Sequence, residues 1–122
     1  MGTEKRRFTR FNYKMPAELE IEGKTYRVNE ISNLGMGGCL LPIRIDAKSG
    51  TPCELRINLG ISGDEPVVLI GGEILRKKDN KTAIKFITID PESLHHLHQI
   101  ARYNSPDPDI VDKEIKKHPG IV

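Results

Sequence analysis

The chain has 122 residues, 37% apolar and 30% charged, with a net charge of +2 and a pI near 8.6. That is the length of one domain with a single core. It contains no run near the ~18 apolar residues that span a bilayer, too mild a positive excess to argue for nucleic acid, and too few cysteines for a disulfide framework. The charge is unevenly placed. In the first fourteen residues Lys5, Arg6, Arg7, Arg10 and Lys14 face only Glu4, a local +4, so the remainder sums to −2. Arginine donors are fixed in a fork and stay charged. A basic arm over residues 1–14 will therefore gather on something anionic and planar. No apolar stretch follows these cations, which predicts no secretory signal, a cytoplasmic location and free thiols.

Along the chain, Ala17, Leu19 and Ile21 alternate with Glu18, Glu20 and Glu22, the pattern of a half-buried strand. Pro16 stands where a missing donor costs little. Gly23-Lys24 can turn the chain, and residues 25–32 read as the partner strand. Ile31 breaks its phase, which a bulge near Asn29-Glu30 would explain. Three glycines in Gly35-Met36-Gly37-Gly38 call for positive φ or close approach by another group. Cys39-Leu40-Leu41 is a short buried strand stopped by Pro42, and residues 43–50 form a connection without a pattern. Cys53, Leu55, Ile57 and Leu59 mark another alternating strand, followed by a loop over 60–66. Residues 67–76 are apolar and β-branched, interrupted by Gly71-Gly72. A polar turn centres on Asp79-Asn80. The last strand, 82–89, is apolar on both faces towards its end, so something should cover it.

Asp90-Pro91-Glu92 is a helix start, with an N-cap aspartate, proline at the first position and an acid in the first turn. Leu94, Leu97, Ile100 and Ala101 give that helix an apolar stripe. Asp107-Pro108-Asp109 repeats the start signal for a short helix within a C-terminal extension, 104–122. The expected architecture is all-β with a C-terminal α-helix: six short strands in a small antiparallel barrel, or a sandwich, which periodicity does not separate.

Two stretches resemble one family. Arg6-Arg7-Phe8-Thr9-Arg10 resembles the R-x-x-x-R motif of the PilZ domain, and Asn33-Leu34-Gly35-Met36-Gly37-Gly38 resembles its [DN]-x-S-x-x-G motif. Ala83-Ile84-Lys85-Phe86 followed by Asp90-Pro91-Glu92 is similar to the closing strand and helix start of that family. The resemblance covers residues 4–103, the domain proper being 15–103. It implies a six-stranded split barrel that binds cyclic di-GMP, a dianion whose guanine O6 and N7 edges accept a bidentate arginine. Arg6 and Arg10 would then hold phosphate and guanine edges, with Arg7 adding charge or stacking. Asn33 would bond a guanine edge, and Gly38 would let the backbone turn beneath the ligand. The family's serine falls on Gly35. A second register restores the hydroxyl at Ser32 but puts Glu30 where Asp or Asn belongs, and the Asn33 register is preferred.

The resemblance implies a receptor that signals to a partner protein when ligand orders the arm across the turn at 33–38. The alternatives are a ligand-independent adaptor in motility or exopolysaccharide export and, less favoured, a small nucleic-acid-binding barrel. Against the last, the chain shows no strand face of mixed aromatic and basic residues. Arg76, Lys77, Lys78 and Lys81 read as a solvated hairpin with no site. His95 and His98 stand three apart on the predicted helix, with His96 between them. Cys39 and Cys53 are the conceivable further metal ligands, but both read as inward-facing, so no metal or other cofactor is expected. No G-x-S-x-G, H-E-x-x-H or P-loop pattern occurs, and no enzyme is expected.

Overall fold

Alternation builds the sheet as the sequence predicts. In the strand Ala17–Ile21, Ala17, Leu19 and Ile21 are buried while Glu20 faces solvent. The computed structural model describes residues 10–60 and 65–104, together with Asp109, Asp112, Lys113 and Lys116. The strands are β1 (Phe11–Tyr13), β2 (Ala17–Ile21), β3 (Lys24–Val28), β4 (Ile31–Leu34), β5 (Gly38–Leu41), β6 (Pro52–Asn58), β7 (Val67–Lys78) and β8 (Lys81–Ile89), followed by the helix α1 (Pro91–Asn104). All neighbours are antiparallel, in the order β1-β4-β5-β8-β7-β6-β2-β3.

This order dictates a curled sheet. The chain passes from β1 to β2 through residues 14–16, and from β3 to β4 through residues 29–30. In a flat sheet each step would cross six strand spacings, or about 29 Å. An extended chain of that length reaches only about 11–14 Å. The two ends of the sheet are therefore folded towards each other. The Tyr13 hydroxyl crosses the same gap and donates to the Asn58 carbonyl at 3.1 Å, and its burial raises the phenol pKa.

The all-β architecture with a C-terminal helix is as expected, but its count and closure differ. Among the described residues eight strands lie in one sheet, and no ladder joins β1 to β3 to close it. One added strand, β1, begins at Phe11, inside the segment read as an arm, because Phe11 and Tyr13 are both buried. The other comes from splitting residues 25–32. Asn29 and Glu30 do not form a bulge; there the chain leaves one end of the sheet for the other. The bulge lies further on. Phe11 pairs with Leu34 and Tyr13 with Ile31, so Asn12 faces both Ser32 and Asn33. That extra residue lets Ile31 and Leu34 both point inward.

Two further bulges shape β7 and β8. Gly71 pairs with Thr88 and Gly72 with Phe86, leaving Ile87 unpaired. This phase slip explains the run of apolar residues at the end of β8. Ile89 packs against the core, while Ile87 stays 37% exposed rather than covered. Gly72 is required opposite the slip, because a Cβ there would stand 2.6 Å from the Lys85 carbonyl oxygen. The second bulge, at Leu75, belongs to the site below. The two-residue turns of the β2–β3 and β7–β8 hairpins use left-handed residues, Glu22 and Gly23 (φ 52° and 78°) and Asp79 and Asn80 (φ 53° and 62°), as such turns between twisted strands require. The first falls one residue earlier than predicted.

The helix packs against β7 and β1 through Leu97, Ile100 and Ala101. Ser93, absent from the predicted stripe, is also buried and accepts a hydrogen bond from the Leu69 amide at 3.0 Å. The second predicted helix lies mostly outside the described residues. Of that extension, Asp112 pairs with Arg102 at 2.9 Å. Among the described residues no helix is long and apolar enough to cross a membrane.

Candidate functional site

The bulge in β4 sets the site. Asn33 has a left-handed backbone (φ 47°), a conformation asparagine tolerates better than most residues. Its amide donates to Oδ1 of Asn12 at 3.2 Å, which fastens β1 to the bulge. Two residues on, the Gly35 amide donates to the Gly38 carbonyl at 3.0 Å, and the Phe86 amide donates to the Gly37 carbonyl at 3.0 Å. The glycine-rich turn is thus closed on itself and tied to β8. Gly38 serves close approach rather than positive φ: a Cβ on it would lie 2.5 Å from the Ile84 carbonyl oxygen.

Strand pairing then extends this edge across the sheet. On the outer face Leu40 of β5 pairs with Ala83 of β8, which pairs with Arg76 of β7. The neighbouring row is Gly38, Lys85 and Glu73. Small residues in the middle leave a cleft of about 200 Å³, open to solvent. Arg10, Asn33, Gly37 and Gly38 line one side of it, and Leu75, Arg76, Ala83 and Lys85 the other. Its charged lining residues are Arg10, Arg76 and Lys85, with no carboxylate among the described residues. A second cleft, of about 250 Å³, shares Leu40, Arg76 and Ala83 and adds Lys78, Asp79 and Lys81. Such a surface suits a flat, anionic molecule.

Cys39 also borders the first cleft, but its side chain is buried. Burial pushes its thiol far above the ordinary range, the neighbouring Cys53 adds to this, and the Arg10 charge offsets it only in part. Burial, with a contribution from Glu73, pushes Cys53 up to about 11. Both thiols are therefore protonated at neutral pH. His95 and His96 stack obliquely with ring centroids 5.8 Å apart. Among the described residues no three His, Cys, Asp or Glu side chains converge as metal ligands.

Of the residues singled out from sequence, the structure brings Arg10, Asn33 and Gly38 to one cleft. Arg6 and Arg7 lie outside the described residues. Gly35 is buried in the turn, and Ser32 is half-buried beside the bulge, paired with Leu40; neither lines the cleft. Arg76, Lys85 and Leu75 were missed. Lys85 and Ala83 could have been placed on one outward face by alternation along β8. Arg76 could not, because its orientation depends on a bulge. Arg76 is exposed on the β7–β8 hairpin, as expected, and it also borders the cleft.

The PilZ domain family model matches residues 4–103. No curated protein sequence matches the chain. Among solved structures, the Bacillus subtilis inhibitor of motility (MotI/DgrA) superposes with a TM-score of 0.61 at 16% identity, over 80% of this chain and 49% of that one. The chain therefore spans about half the length of that protein. The PilZ domain of CeSA from a cellulose-synthesizing bacterium superposes with a TM-score of 0.57 at 16% identity, over 74% of this chain and 93% of that one. At that identity these two likenesses speak for the fold.

Proposed function

The chain belongs to the PilZ domain family, a regulatory family that binds cyclic di-GMP, and on that premise we propose that it is a cyclic di-GMP receptor. The observation that carries the reading is the cleft itself. It joins Arg10, from the first motif, to Asn33 and Gly38, from the second, and its other charged lining residues, Arg76 and Lys85, are both cations. A guanidinium there can take a phosphate or the O6 and N7 edge of guanine in bidentate fashion. Asn33 presents an amide to a base edge, and Gly38 keeps the floor low. Arg6 and Arg7 would complete the arm's hold on the ligand.

Signalling would follow from ordering of the arm, read by a separate effector protein. The motility and cellulose-synthesis settings of the two solved relatives suggest where such a partner acts. One observation favours the adaptor reading instead: Gly35 supplies no hydroxyl where the family has serine, which removes one expected hydrogen bond to the ligand. Titration calorimetry with cyclic di-GMP, with GTP and single-stranded DNA as controls, separates the two. Saturable heat with cyclic di-GMP alone supports the receptor. Silence with all three leaves the adaptor as the better account.

A further inference from the structure

Regular alternation along β7 would put Arg76 on the same inner face as Ile74. It does not, because Glu73 pairs with Lys85, Ile74 with Ile84 and Arg76 with Ala83, leaving Leu75 as an extra residue. Ile74 is buried at 1% exposure, Leu75 is 46% exposed and Arg76 is exposed, so the bulge turns two consecutive side chains outward over Ala83. Both line the cleft that holds Arg10 and Asn33.

The bulge is held from outside the cleft. The Gly50 amide donates to the Ile74 carbonyl at 2.7 Å, and the Ile74 amide donates to the Thr51 carbonyl at 3.0 Å. The Ser49 hydroxyl donates to the carbonyl of Leu75, the bulged residue, at 2.9 Å. Ser49 does not line the cleft. Its bond fixes the peptide unit that leads directly into Arg76.

We propose that the β7 bulge is a binding element of this cleft, with Arg76 a further ligand-contacting arginine and Ser49 a positioning residue that aims it through the Leu75 carbonyl. The inference rests on the cyclic di-GMP reading and extends it. Arg10 comes from the chain end leading into β1, whereas Arg76 is built into a paired strand. The two would grip the dianion from opposite walls, with exposed Leu75 as an apolar ledge for the face of a purine. Affinity would then depend on a rigid cation as well as on the arm.

The test is a double-mutant cycle by calorimetry with cyclic di-GMP on the full chain. Arg76→Ala should weaken binding about ten- to a hundredfold, the usual scale for a lost hydrogen bond to a charged group, with little change in Tm because the side chain is exposed. Ser49→Ala should weaken it by a smaller factor, and Ser49→Thr, which keeps the hydroxyl, should restore it. In the Arg76→Ala background Ser49→Ala should add nothing, since it acts only through Arg76; a merely structural role would multiply the two losses. Multiplying losses, or an Arg76→Ala protein that binds as wild type does, overturns the inference and leaves the receptor intact. Wild-type protein that binds no cyclic di-GMP removes the receptor reading and this inference together.

Discussion

The backbone amide of Asn33 donates to the side-chain oxygen of Asn12 at 3.2 Å, joining the strand that follows the arginine motif to the bulge inside the asparagine–glycine motif. The two halves of the candidate site are thus fastened together by a backbone-to-side-chain bond. Asn12→Ala removes the acceptor at an exposed position, so water can replace it and the stability cost should stay near 0.5–1.5 kcal/mol. The left-handed conformation of Asn33 loses its tether, however, and affinity for cyclic di-GMP should fall more than thermal stability does. Melting and calorimetry on the same variant check the split. A large drop in Tm with unchanged affinity would make the bond a fold feature alone.

Arg10 is exposed and stands before the first buried residue of β1. Arg10→Ala should cost about 1.5–3 kcal/mol of binding, roughly ten- to a hundredfold, and hardly move the Tm. Asn33→Ala should weaken binding more than Ser32→Ala, because Asn33 lines the cleft and Ser32 does not. The reverse order would return the site to the Ser32 register.

Gly38 tests the floor. The atom its Cβ would meet is a backbone carbonyl, Ile84 O at 2.5 Å, which has no rotamer to escape into. Gly38→Ala should therefore separate β5 from β8 locally, costing on the order of 1–3 kcal/mol as overpacking does. Binding should weaken with it. A variant of wild-type stability, measured by urea unfolding, would show that the two strands can shift apart freely.

What was legible in the sequence was whatever repeats locally. The alternation in β2 and β6, the Asp79-Asn80 turn and the start of α1 at Asp90 each need only a few neighbouring residues. What was hidden depends on a partner far along the chain. Residues 43–47 show no pattern because one side chain from β8 holds them: the Thr82 hydroxyl donates to the Ile43 carbonyl at 2.8 Å and accepts from the Ile45 amide at 3.1 Å. The bulges at Asn33, Leu75 and Ile87 were misplaced or missed, since a bulge is defined by the register of the opposite strand. For the site, the motif residues Arg10, Asn33 and Gly38 were readable. Arg76 was not, because its direction is set by such a bulge.

The arm's motion is the next expectation, and the structure narrows it. Phe11 and Tyr13 are buried in β1, so their amides should exchange slowly with or without ligand. Any slowing caused by cyclic di-GMP should fall before Phe11, around Phe8, Thr9 and Arg10, while α1 changes less. Salt should weaken it, because part of the attraction is screened. Binding with no new protection in that stretch would exclude the arm as the switch.

The start of α1 supplies a pH test independent of ligand. The Asp90 carboxylate accepts hydrogen bonds from the Ser93 hydroxyl and from the Ser93 amide, the latter at 3.3 Å. The hydroxyl bond, more than any other influence, holds its pKa below the usual carboxylate value. The same Ser93 oxygen accepts from the Leu69 amide at 3.0 Å, so the cap is linked to β7 and the helix start to the sheet. A carboxyl with a lowered folded pKa stabilises the fold fully above the unfolded value and stops doing so as pH falls through the folded one. The Tm difference between wild type and Asp90→Ala should therefore be widest near pH 7 and shrink towards about pH 3, below the ordinary carboxylate range. Asp90→Asn keeps a capping oxygen without a charge, so its gap to Asp90→Ala should stay nearly constant. Comparing the variants with one another cancels the other carboxylates, which titrate in all of them. Equal gaps at both ends of the range would show that the Asp90 charge contributes nothing to the cap.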